Sequence, residues 1–515
     1  MNIKTKVFKN MYQDSVSLMQ ISAQIGKLPG IQQASVVMGT GTNLAQLREA
    51  NLDDGCKAGP NDLVIAVRGD AEACAVALDT AEARLNSKPV ESSSDGIQPP
   101  ALVSLEMGVE KDAASNLALI SVPGDYAAAE AIKALNLGMS VMLFSDNVSV
   151  EHEKEIKTLA RDKNLIVMGP DCGTAIINGM PLGFANVVRR GAIGVVAASG
   201  TGLQEVTCRI DQLGGGISQA LGTGGHDLSE AIGGISMLYG LDALIEDPAT
   251  RVIVLISKPP AAAVASKILA RARSGGKPVV VNFLGARSED IAAPGITPAH
   301  TLADAAGYAV ALFEGGALPK PTGVIDALEA SMLKERCSAL PAARRYIRGV
   351  FAGGTFCYES QLLCKEQGFS ASSNTPIATN KRLEDIGSSV GHTLVDMGDD
   401  DFTRGRPHPM IDPTLRNARI LAELSDPSTA VVLFDLVLGY GAAAEPGAEL
   451  VALLNQAARG RELPVLIAHV CGTEADPQIR SRQIDALREA GVLVAGCNAQ
   501  AALWASHIAH LQADK

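Results

Sequence analysis

Short apolar runs alternate with amphipathic segments along most of this chain. The run at 193–198 is apolar and flanked by glycine, which is typical of a buried parallel strand, and residues 203–213 then follow a helical period. The same order recurs at 346–351, where a helical pattern begins at Tyr358. Strands that alternate with helices predict an α/β fold built on parallel sheets.

Small residues occupy the turn after the run at 193–198. The turn contains Ser199-Gly200-Thr201-Gly202 and leads directly into the helix. The first turn of a helix leaves backbone N–H groups unpaired at the positive end of the helix dipole, where phosphates and carboxylates bind. A second strand at 217–221 ends in Gly222-Thr223-Gly224-Gly225, so two anion contacts are predicted in one sheet. The alternative is that both segments are only tight turns between strand and helix.

The pattern divides the chain into four parts. They are a small ferredoxin-like α/β module at 1–97, a Rossmann-type domain at 98–188, and two flavodoxin-like domains with parallel sheets at 189–320 and 340–515. The segment 92–100, rich in serine and proline, is predicted to be a linker, and 316–343 a helical connector.

Composition excludes several classes of function. The net charge of −12 argues against nucleic acid as the main partner. No apolar run reaches the roughly 18–20 residues of a membrane span, and the polar segment after the basic N-terminus is not a secretory signal. The nine cysteines form no Cys-x-x-Cys pair, which indicates a reduced, cytoplasmic protein without a structural zinc site or other metal.

Several reactive side chains follow predicted strands. Asp171 and Cys172 come after the strand at 165–168, and Lys258 follows the strand at 252–257. Ligands of parallel α/β sheets gather at the carboxyl ends of strands, which makes these residues substrate-binding candidates. Cys172 acts as a nucleophile only if a base is near, and a small core thiol is the simpler interpretation. For Lys258, a solvated side chain is the alternative to an anion contact.

A charged, proline-rich segment follows the strand at 392–395. The acids at 396 and 399–401 could bind a divalent ion, but a helix N-terminus or a solvated loop is favoured because consecutive aspartates point in different directions. Arg404, Arg406 and His408 come next, the last inside Pro-His-Pro. Arginine suits a carboxylate or phosphate and histidine can carry a proton, which predicts substrate contact by the arginines and a catalytic His408.

These motifs resemble two enzyme families. Residues 116–312 resemble the α subunit of succinyl-CoA synthetase, and residues 430–502 resemble the carboxy-terminal domain of its β subunit. The resemblance implies a CoA-binding-like Rossmann domain at 98–188 and succinyl-CoA synthetase ligase-like domains at 189–320 and 340–515. The full length resembles the FdrA family. The matching segments are QDSVSLM at 13–19, MLFSDNVS at 142–149, MGPDCGT at 168–174, ASGTG at 198–202, SKPP at 257–260 and GRPHPMIDP at 405–413. The segment HVCGT at 469–473 matches the phosphate-contacting turn of the succinyl-CoA synthetase β subunit.

The resemblance implies functional roles for specific residues. The turn from Ser199 to Gly202 would bind phosphate, Glu205 would steady a phosphorylated group, and Gly472 with Thr473 would contact phosphate. The phosphorylated histidine of the succinyl-CoA synthetases has no counterpart at 285–290, and the glycine-rich turn that cradles CoA and the ATP-grasp domain are not recognisable. ATP is therefore not expected to act on this chain alone, and a catalytic Glu205 remains the family-based expectation.

FdrA-type proteins resemble one subunit of oxamate carbamoyltransferase, which acts with separately encoded partners in ureide breakdown. The resemblance thus implies a transferase subunit that uses carbamoyl phosphate or another acyl phosphate, acts on a small anionic substrate and assembles into an oligomer. An NDP-forming acyl-CoA synthetase, with CoA as a ligand, is the alternative. A non-catalytic scaffold that keeps the ligase fold is the second alternative.

Overall fold

The computed structural model describes residues 2–86, 102–404, 406–459 and 462–515. The predicted linker at 92–100 lies outside the described residues. The fold is α/β with parallel sheets, and the chain forms two compact units. The first unit contains Met1–Asp171 and Thr403–Ile411, and the second contains Cys172–Phe402 and Asp412–Lys515.

The first unit begins with a three-stranded antiparallel sheet in the order β1-β3-β2. Its elements are β1 (Asn2–Phe8), α1 (Ser15–Gly26), β2 (Ile31–Met38), α2 (Gly41–Glu49), β3 (Leu63–Gly69) and α3 (Ala71–Asn86). The side chains of Asp14 and Thr40 cap α1 and α2 by accepting backbone N–H groups of the first turn. These elements form a small α/β module.

A three-stranded parallel sheet in the order β4-β5-β6 follows in the same unit. Its elements are α4 (Leu105–Lys111), β4 (Leu117–Ile120), α5 (Gly124–Asn136), β5 (Ser140–Leu143), α6 (Val150–Asp162) and β6 (Val167–Met168). Alanines of α5 pack on the sheet because their small side chains allow the helix to lie close to it.

The first half of the second unit is a seven-stranded sheet in the order β13-β12-β11-β9-β10-β7-β8. Its elements are β7 (Thr174–Ile177), β8 (Met180–Gly183), β9 (Arg190–Ala198), α7 (Gly200–Gln212), β10 (Ile217–Gly222), α8 (Ile235–Glu246), β11 (Val252–Ser257), α9 (Ala262–Ser274), β12 (Val279–Phe283), α10 (Ser288–Ile291), β13 (Ile296–Pro298) and α11 (Leu302–Glu314). Strands β9 to β13 are parallel, whereas β7 and β8 form an antiparallel hairpin that joins the sheet through β10. Strand pairing therefore places residues 174–183 in this sheet.

The second half of this unit is a fully parallel seven-stranded sheet in the order β16-β15-β17-β14-β18-β19-β20. Its elements are α12 (Ala327–Cys337), β14 (Tyr346–Phe351), α13 (Gly354–Glu366), β15 (Ala371–Ser373), β16 (Lys381–Arg382), β17 (His392–Asp396), α14 (Asp400–Thr403), α15 (Thr414–Ser425), β18 (Thr429–Val437), α16 (Pro446–Ala457), β19 (Val465–Cys471), α17 (Arg480–Glu489), β20 (Leu493–Ala495) and α18 (Asn498–Ala513). Within the predicted connector 316–343, only α12 is helical, because Pro319 and Pro321 interrupt the pattern before it.

The two halves share one topological feature. In the first half, β9 has two later strands, β10 and β11, on its two sides, and in the second half β14 lies in the same way between β17 and β18. At such a reversal of strand order the loops on either side separate, and a crevice opens at the carboxyl ends of the strands. Helices α7 and α13 begin at these two crevices.

None of the helices in the described part of the chain combines the length and the apolar character that a bilayer span requires.

Candidate active site

The helices α7 and α13 begin next to each other. Ser199 caps α7, because its Oγ accepts the N–H of Gly202 at 3.0 Å. The same Oγ lies 2.5 Å from Oγ1 of Thr355 in the first turn of α13. The N–H of Thr355 donates to Oγ1 of Thr201 at 3.4 Å, so each helix start contacts the other. The positive ends of two helix dipoles meet here.

Solvent reaches this meeting point from one side. Ser199 is 9% exposed and Thr355 is 4% exposed, but Gly200 is exposed and Thr201 is half-buried. A side chain at Gly200 would meet no atom within 4 Å. An anion can therefore approach the first turn of α7 without displacing packed side chains.

The turn after β10, which was also predicted to bind an anion, lies beside this point. Strand β10 pairs with β9, with Gly222 opposite Ala197. Gly224 has a φ of +84°, a conformation that favours glycine, and Gly225 is exposed with open space around it. The structure thus brings both predicted glycine turns to one edge of the sheet.

Two buried carboxyl groups shape the start of α13. The carboxylate of Asp435 accepts the N–H groups of Ala352 and Gly353, both at 2.7 Å, which fixes the bend before the helix. A Cβ atom at Gly354 would lie 2.5 Å from Oδ2 of Asp396, so glycine is required where α13 begins. Asp396 therefore lies directly against the first residue of this helix.

Asp396 has an unusual protonation equilibrium. Burial raises the pKa of its carboxyl group to about 7, Lys258 acts in the opposite direction, and Asp399 adds to the rise. Its Oδ1 accepts the N–H of Gly398 at 3.0 Å. The group can therefore donate or accept a proton near neutral pH. A helix N-terminus or a solvated loop is the favoured interpretation of the acids at 399–401, and Asp400 and Asp401 lie in the first turn of α14.

The first half of the second unit places Lys258 beside the start of α7. Strand β11 lies beside β9, with Ser257 opposite Ala198, so Lys258 and Ser199 are the next residues of two neighbouring strands. The Nζ atom of Lys258 lies 5.8 Å from the ring centroid of Tyr358 in α13. The lysine is exposed at the edge where the halves meet.

Glu205 lies deeper than a phosphate contact would require. It is 3% exposed, and its Oε2 is 2.7 Å from Nε2 of His469, which is 2% exposed. Burial alone would raise the pKa of Glu205, but the charge and hydrogen bond of His469 lower it, so the carboxylate stays ionised. The role of His469 was not predicted from the sequence, although a histidine inside the apolar run of β19 is a signal that could have identified it.

The turn at Gly472 and Thr473 is closed by internal hydrogen bonds. The N–H of Thr473 donates to Oδ2 of Asp476 at 2.7 Å, and its hydroxyl donates to the carbonyl of Val187 at 2.6 Å. The carbonyl of Gly472 accepts the side-chain amide of Gln212 at 2.9 Å. The Thr473 N–H that was expected to contact phosphate is thus already paired, because this turn joins the two halves.

Cys172 fits the packing interpretation. It is 2% exposed, and its Sγ lies 3.5 Å from the carbonyl oxygens of Thr174 and Gly222. A Cβ at Gly222 would lie 2.7 Å from this sulfur, so the thiol fills the space that glycine leaves. Asp171, which precedes it, has a φ of +54° and belongs to the first unit.

The loop with Arg404, Arg406 and His408 also belongs to the first unit. Arg404 pairs weakly with Glu49 at 3.9 Å, and burial together with Arg68 lowers the pKa of Arg406. Burial lowers the pKa of His408 to about 4, and its Nδ1 accepts the N–H of Met410 at 3.2 Å. A catalytic role for His408 stays a prediction, which the lowered pKa and the hydrogen bond with Met410 do not favour.

Three family models match this chain. The CoA-ligase model matches residues 350–508, the CoA binding domain model matches 189–285, and a model described as AllF, heavy metal-associated domain, matches 1–100. The first two ranges contain α13 and α7, respectively. The chain thus has CoA-binding and CoA-ligase domains, and its α/β architecture agrees with them.

The third family description raises the question of a metal ion. In the described part of the chain, Asp53, Asp54 and Cys56 place three donor atoms within 4.8 Å of one another. Asp53 accepts backbone N–H groups of its own loop and pairs with Arg48, and both oxygens of Asp54 accept hydrogen bonds from Thr5. Burial and the two carboxylates raise the pKa of the Cys56 thiol, which opposes a thiolate ligand. This group does not fit a heavy-metal ion.

Solved structures show only distant similarity. The dinucleotide-forming acetyl-coenzyme A synthetase 1 of Ca. Korarchaeum cryptofilum shares 16% identity, with 77% of this chain and 83% of that chain covered and a TM-score of 0.29. The ATP citrate lyase of Methanothrix soehngenii shares 16% identity, with 45% of each chain covered and a TM-score of 0.35.

Curated relatives give a clearer result. The α subunit of the ADP-forming succinate–CoA ligase of Aquifex aeolicus is 29% identical over 157 residues, which are 29% of this chain and 49% of that protein. The ADP-forming sulfoacetate-CoA ligase subunit SqwL of Acholeplasma is 27% identical over 27% of this chain and 48% of that protein. The chain thus spans about half the length of these ligase subunits. The YahF protein of Escherichia coli K12 is 43% identical over 512 residues, which are 98% of either chain. The chain therefore belongs to the YahF family of FdrA-type proteins, whose CoA-binding and CoA-ligase domains resemble those of succinyl-CoA synthetase.

Proposed function

We propose that this chain transfers an acyl group between phosphate and an acceptor, with the phosphate held where α7 and α13 begin. The observation that carries the proposal is the 2.5 Å hydrogen bond between Ser199 and Thr355, which brings the positive ends of two helices to one solvent-accessible point. One helix terminus attracts a monoanion, and two opposed termini suit a doubly charged phosphate group.

The chemistry follows from the charge that develops during transfer. The acceptor attacks the carbonyl carbon of an acyl phosphate, the bond from this carbon to the bridging oxygen breaks, and phosphate leaves with the electron pair. The proton of the acceptor passes to a base. Backbone N–H groups at Gly200 and Gly354 would stabilise the leaving phosphate, and Asp396 is the group placed to take up a proton near neutral pH.

CoA is the first candidate acceptor. The CoA binding domain and CoA-ligase matches contain the two helices that form the site, which supports exchange between an acyl phosphate and an acyl-CoA, as in acyl-CoA synthetases of the succinyl-CoA synthetase type.

Carbamoyl transfer to an amide or carboxylate acceptor is the second candidate. It is favoured by residues 285–290, which contain no histidine, and by His300, which pairs with Glu366 at 3.0 Å. Without a phosphohistidine relay, an already activated donor such as carbamoyl phosphate removes the need for ATP on this chain. Partner subunits would then supply the remaining part of the reaction.

The test uses the full chain with acetyl phosphate or carbamoyl phosphate, each with CoA or with oxamate as acceptor. We expect acceptor-dependent release of phosphate, with acyl-CoA formed in the CoA arm, in the presence of the partner proteins if the chain alone is inactive. Gly200→Trp should abolish release because the indole fills the open approach to α7, whereas Val324→Trp, at an 87% exposed position, should have no effect. Equal activity of the two variants would contradict the proposal and leave a scaffold role.

A further inference from the structure

A pair of polar side chains in the first unit lies across the strands β2 and β3. Arg68 of β3 is opposite Gln33 of β2 in the antiparallel ladder. The Nη2 atom of Arg68 donates to Oε1 of Gln33 at 2.8 Å, and its Nη1 atom donates to the carbonyl oxygen of Asn51 at 3.4 Å. Two of the three guanidinium nitrogens therefore have acceptors within the unit.

The other donors of this pair are buried and have no acceptor. In the part of the chain that the structure describes, neither Nε of Arg68 nor Nε2 of Gln33 has a hydrogen-bond partner. Gln33 is 7% exposed, and the orientation of its amide is fixed because Oε1 accepts from Arg68. A buried donor without an acceptor is costly. Since one hydrogen bond joins the two side chains, both free donors lie close enough for one ligand to reach them.

Arg406 contributes a second guanidinium group. The segment Thr403–Ile411 belongs to the first unit, and within it Nη1 of Arg404 lies 3.9 Å from Oε2 of Glu49, the last residue of α2. Asn51, which accepts from Arg68, follows two residues later. Burial and the charge of Arg68 together lower the pKa of Arg406. The segment thus places Arg406 near Arg68, beside the carboxyl end of α2.

The two guanidinium groups lack a counterion. Glu49, the acid at the end of α2, is paired with Arg404. Among the described residues, no carboxylate lies within the 4.0 Å of an ion pair with Arg68 or Arg406. The negative end of α2 supplies at most about half a charge. At least one full positive charge therefore remains uncompensated, next to donors that need acceptors.

We propose that Gln33, Arg68 and Arg406 form a binding site for a small oxyanion, either a phosphate or a carboxylate group. The oxygen atoms of the ligand accept the free N–H groups of Gln33 and Arg68, and the exposed Arg406 binds the ligand from the solvent side. Arginine suits both groups because its donors match a pair of oxygen atoms. All three residues belong to the first unit, so the site is separate from the one formed by α7 and α13 in the second unit.

Inorganic phosphate and acetate test this inference in the full chain. The measurements use the Gly200→Trp chain, in which the approach to α7 is filled, so that calorimetry reports the site in the first unit. A further change of Arg406→Met should raise the dissociation constant of at least one of the two anions roughly tenfold or more, the effect of one lost charge-assisted hydrogen bond. The anion that is affected identifies the bound group, and Arg406→Lys should keep part of its affinity.

Arg48→Met is the matched control. The guanidinium group of Arg48 is in the same unit, and its loss changes the net charge equally, but it is already paired with Asp53 at 3.1 Å. Both dissociation constants should keep their values in this variant. Unchanged constants for both anions in Arg406→Met would overturn the inference.

Gln33→Glu tests the buried part of the site. The carboxylate keeps an acceptor for Arg68 and replaces the free amide nitrogen by a second acceptor oxygen. Binding of the anion should be lost because the new charge neutralises Arg68, while the melting temperature should not fall. Retained binding would overturn the inference. Equal numbers of bound phosphate groups in the wild-type and Gly200→Trp chains would instead contradict the proposed function and leave this inference standing.

Discussion

Glu205 on α7 and His469 on β19 are joined by a hydrogen bond of 2.7 Å between Oε2 and Nε2 in the interior of the second unit. The ring of Phe356, in the first turn of α13, meets the histidine edge-on at a centroid distance of 5.5 Å. His469 also lies opposite Asp435 in the sheet, and Asp435 fixes the bend before α13. This single pair therefore connects α7 to the elements that position α13.

Removal of one member of this pair should strongly destabilise the fold. Glu205→Ala leaves a buried imidazole without its partner, and we expect a loss of about 3–5 kcal/mol in the free energy of unfolding. Arg287→Ala, which breaks the exposed pair with Asp290, should leave the unfolding midpoint almost unchanged. Urea unfolding followed by circular dichroism gives the unfolding midpoint of each variant. Similar midpoints for the two variants would show that the buried pair is not structurally important.

The same pair has a defined pH dependence. The pKa of Glu205 is below its ordinary value of 4.5 in the folded chain, so its stabilising contribution is complete above that value and is lost as the pH falls through the folded pKa. The stability difference between the wild-type chain and Glu205→Gln should therefore shrink on acidification. A difference that grows at low pH would contradict this assignment.

Gly354 and Gly200 are the first residues of α13 and α7, and they should respond differently to the same substitution. Gly354→Ala places a Cβ 2.5 Å from Oδ2 of Asp396, which should destabilise the chain by about 1–3 kcal/mol and weaken phosphate binding. Gly200→Ala meets open space and should be neutral or slightly stabilising. Melting temperatures with and without phosphate distinguish the two variants. An equal decrease in melting temperature in both variants would be inconsistent with the predicted clash.

Asp396 should make the chain less stable as the pH rises. Its folded pKa of about 7 exceeds the ordinary value of 3.8, so the folded state binds the proton more tightly than the unfolded state. Stability is therefore highest below pH 3.8 as far as this group is concerned, and it decreases until about pH 7. Asp396→Asn should flatten the melting temperature over this interval and raise it at pH 8.

The exposed Asp385, whose pKa is lowered by Ser388 and Gly387, provides the control for that series. Asp385→Asn should not raise the melting temperature at pH 8. A flattened profile in this variant, or an unchanged one in Asp396→Asn, would contradict the assignment to Asp396.

Cysteine reactivity should divide the nine thiols into two classes. Cys56 is partly exposed, and the other eight are buried. Burial raises the pKa of Cys208 and Cys364, and a hydrogen bond from Cys208 together with burial raises that of Cys471. Titration with a chromogenic disulfide reagent should modify at most one thiol quickly in the native chain and all nine in denaturant. Rapid reaction of three or more native thiols would contradict this burial.

The glycine turn at 199–202 was predictable from sequence because it depends on local order. A buried apolar run, a serine cap and a helical period determine a strand, a turn and a helix with their N–H groups oriented, and β9, Ser199 and α7 form as expected. The parallel sheets and the division of the second unit into two similar halves follow from the same periodicity.

The sequence motif around Gly472 and Thr473 was a weaker guide. The motif lies at the end of strand β19, but the N–H of Thr473 donates to Asp476. The residues around the motif do not show whether this N–H group is available to a ligand. Likewise, the sequence of the basic loop predicts a reactive His408, yet burial lowers the pKa of this histidine to about 4. Burial and pairing depend on residues far apart in the chain.

The sequence by itself determined the α/β class and the glycine turns at strand ends, because both depend on neighbours in the chain. Only the tertiary structure decided that α7 begins against α13, that Lys258 reaches Tyr358, and that Glu205 pairs with His469 across 264 positions. These contacts arise where two sheets meet at their carboxyl ends. Such a meeting is set by side-chain packing between distant segments, and no local pattern of residues encodes it.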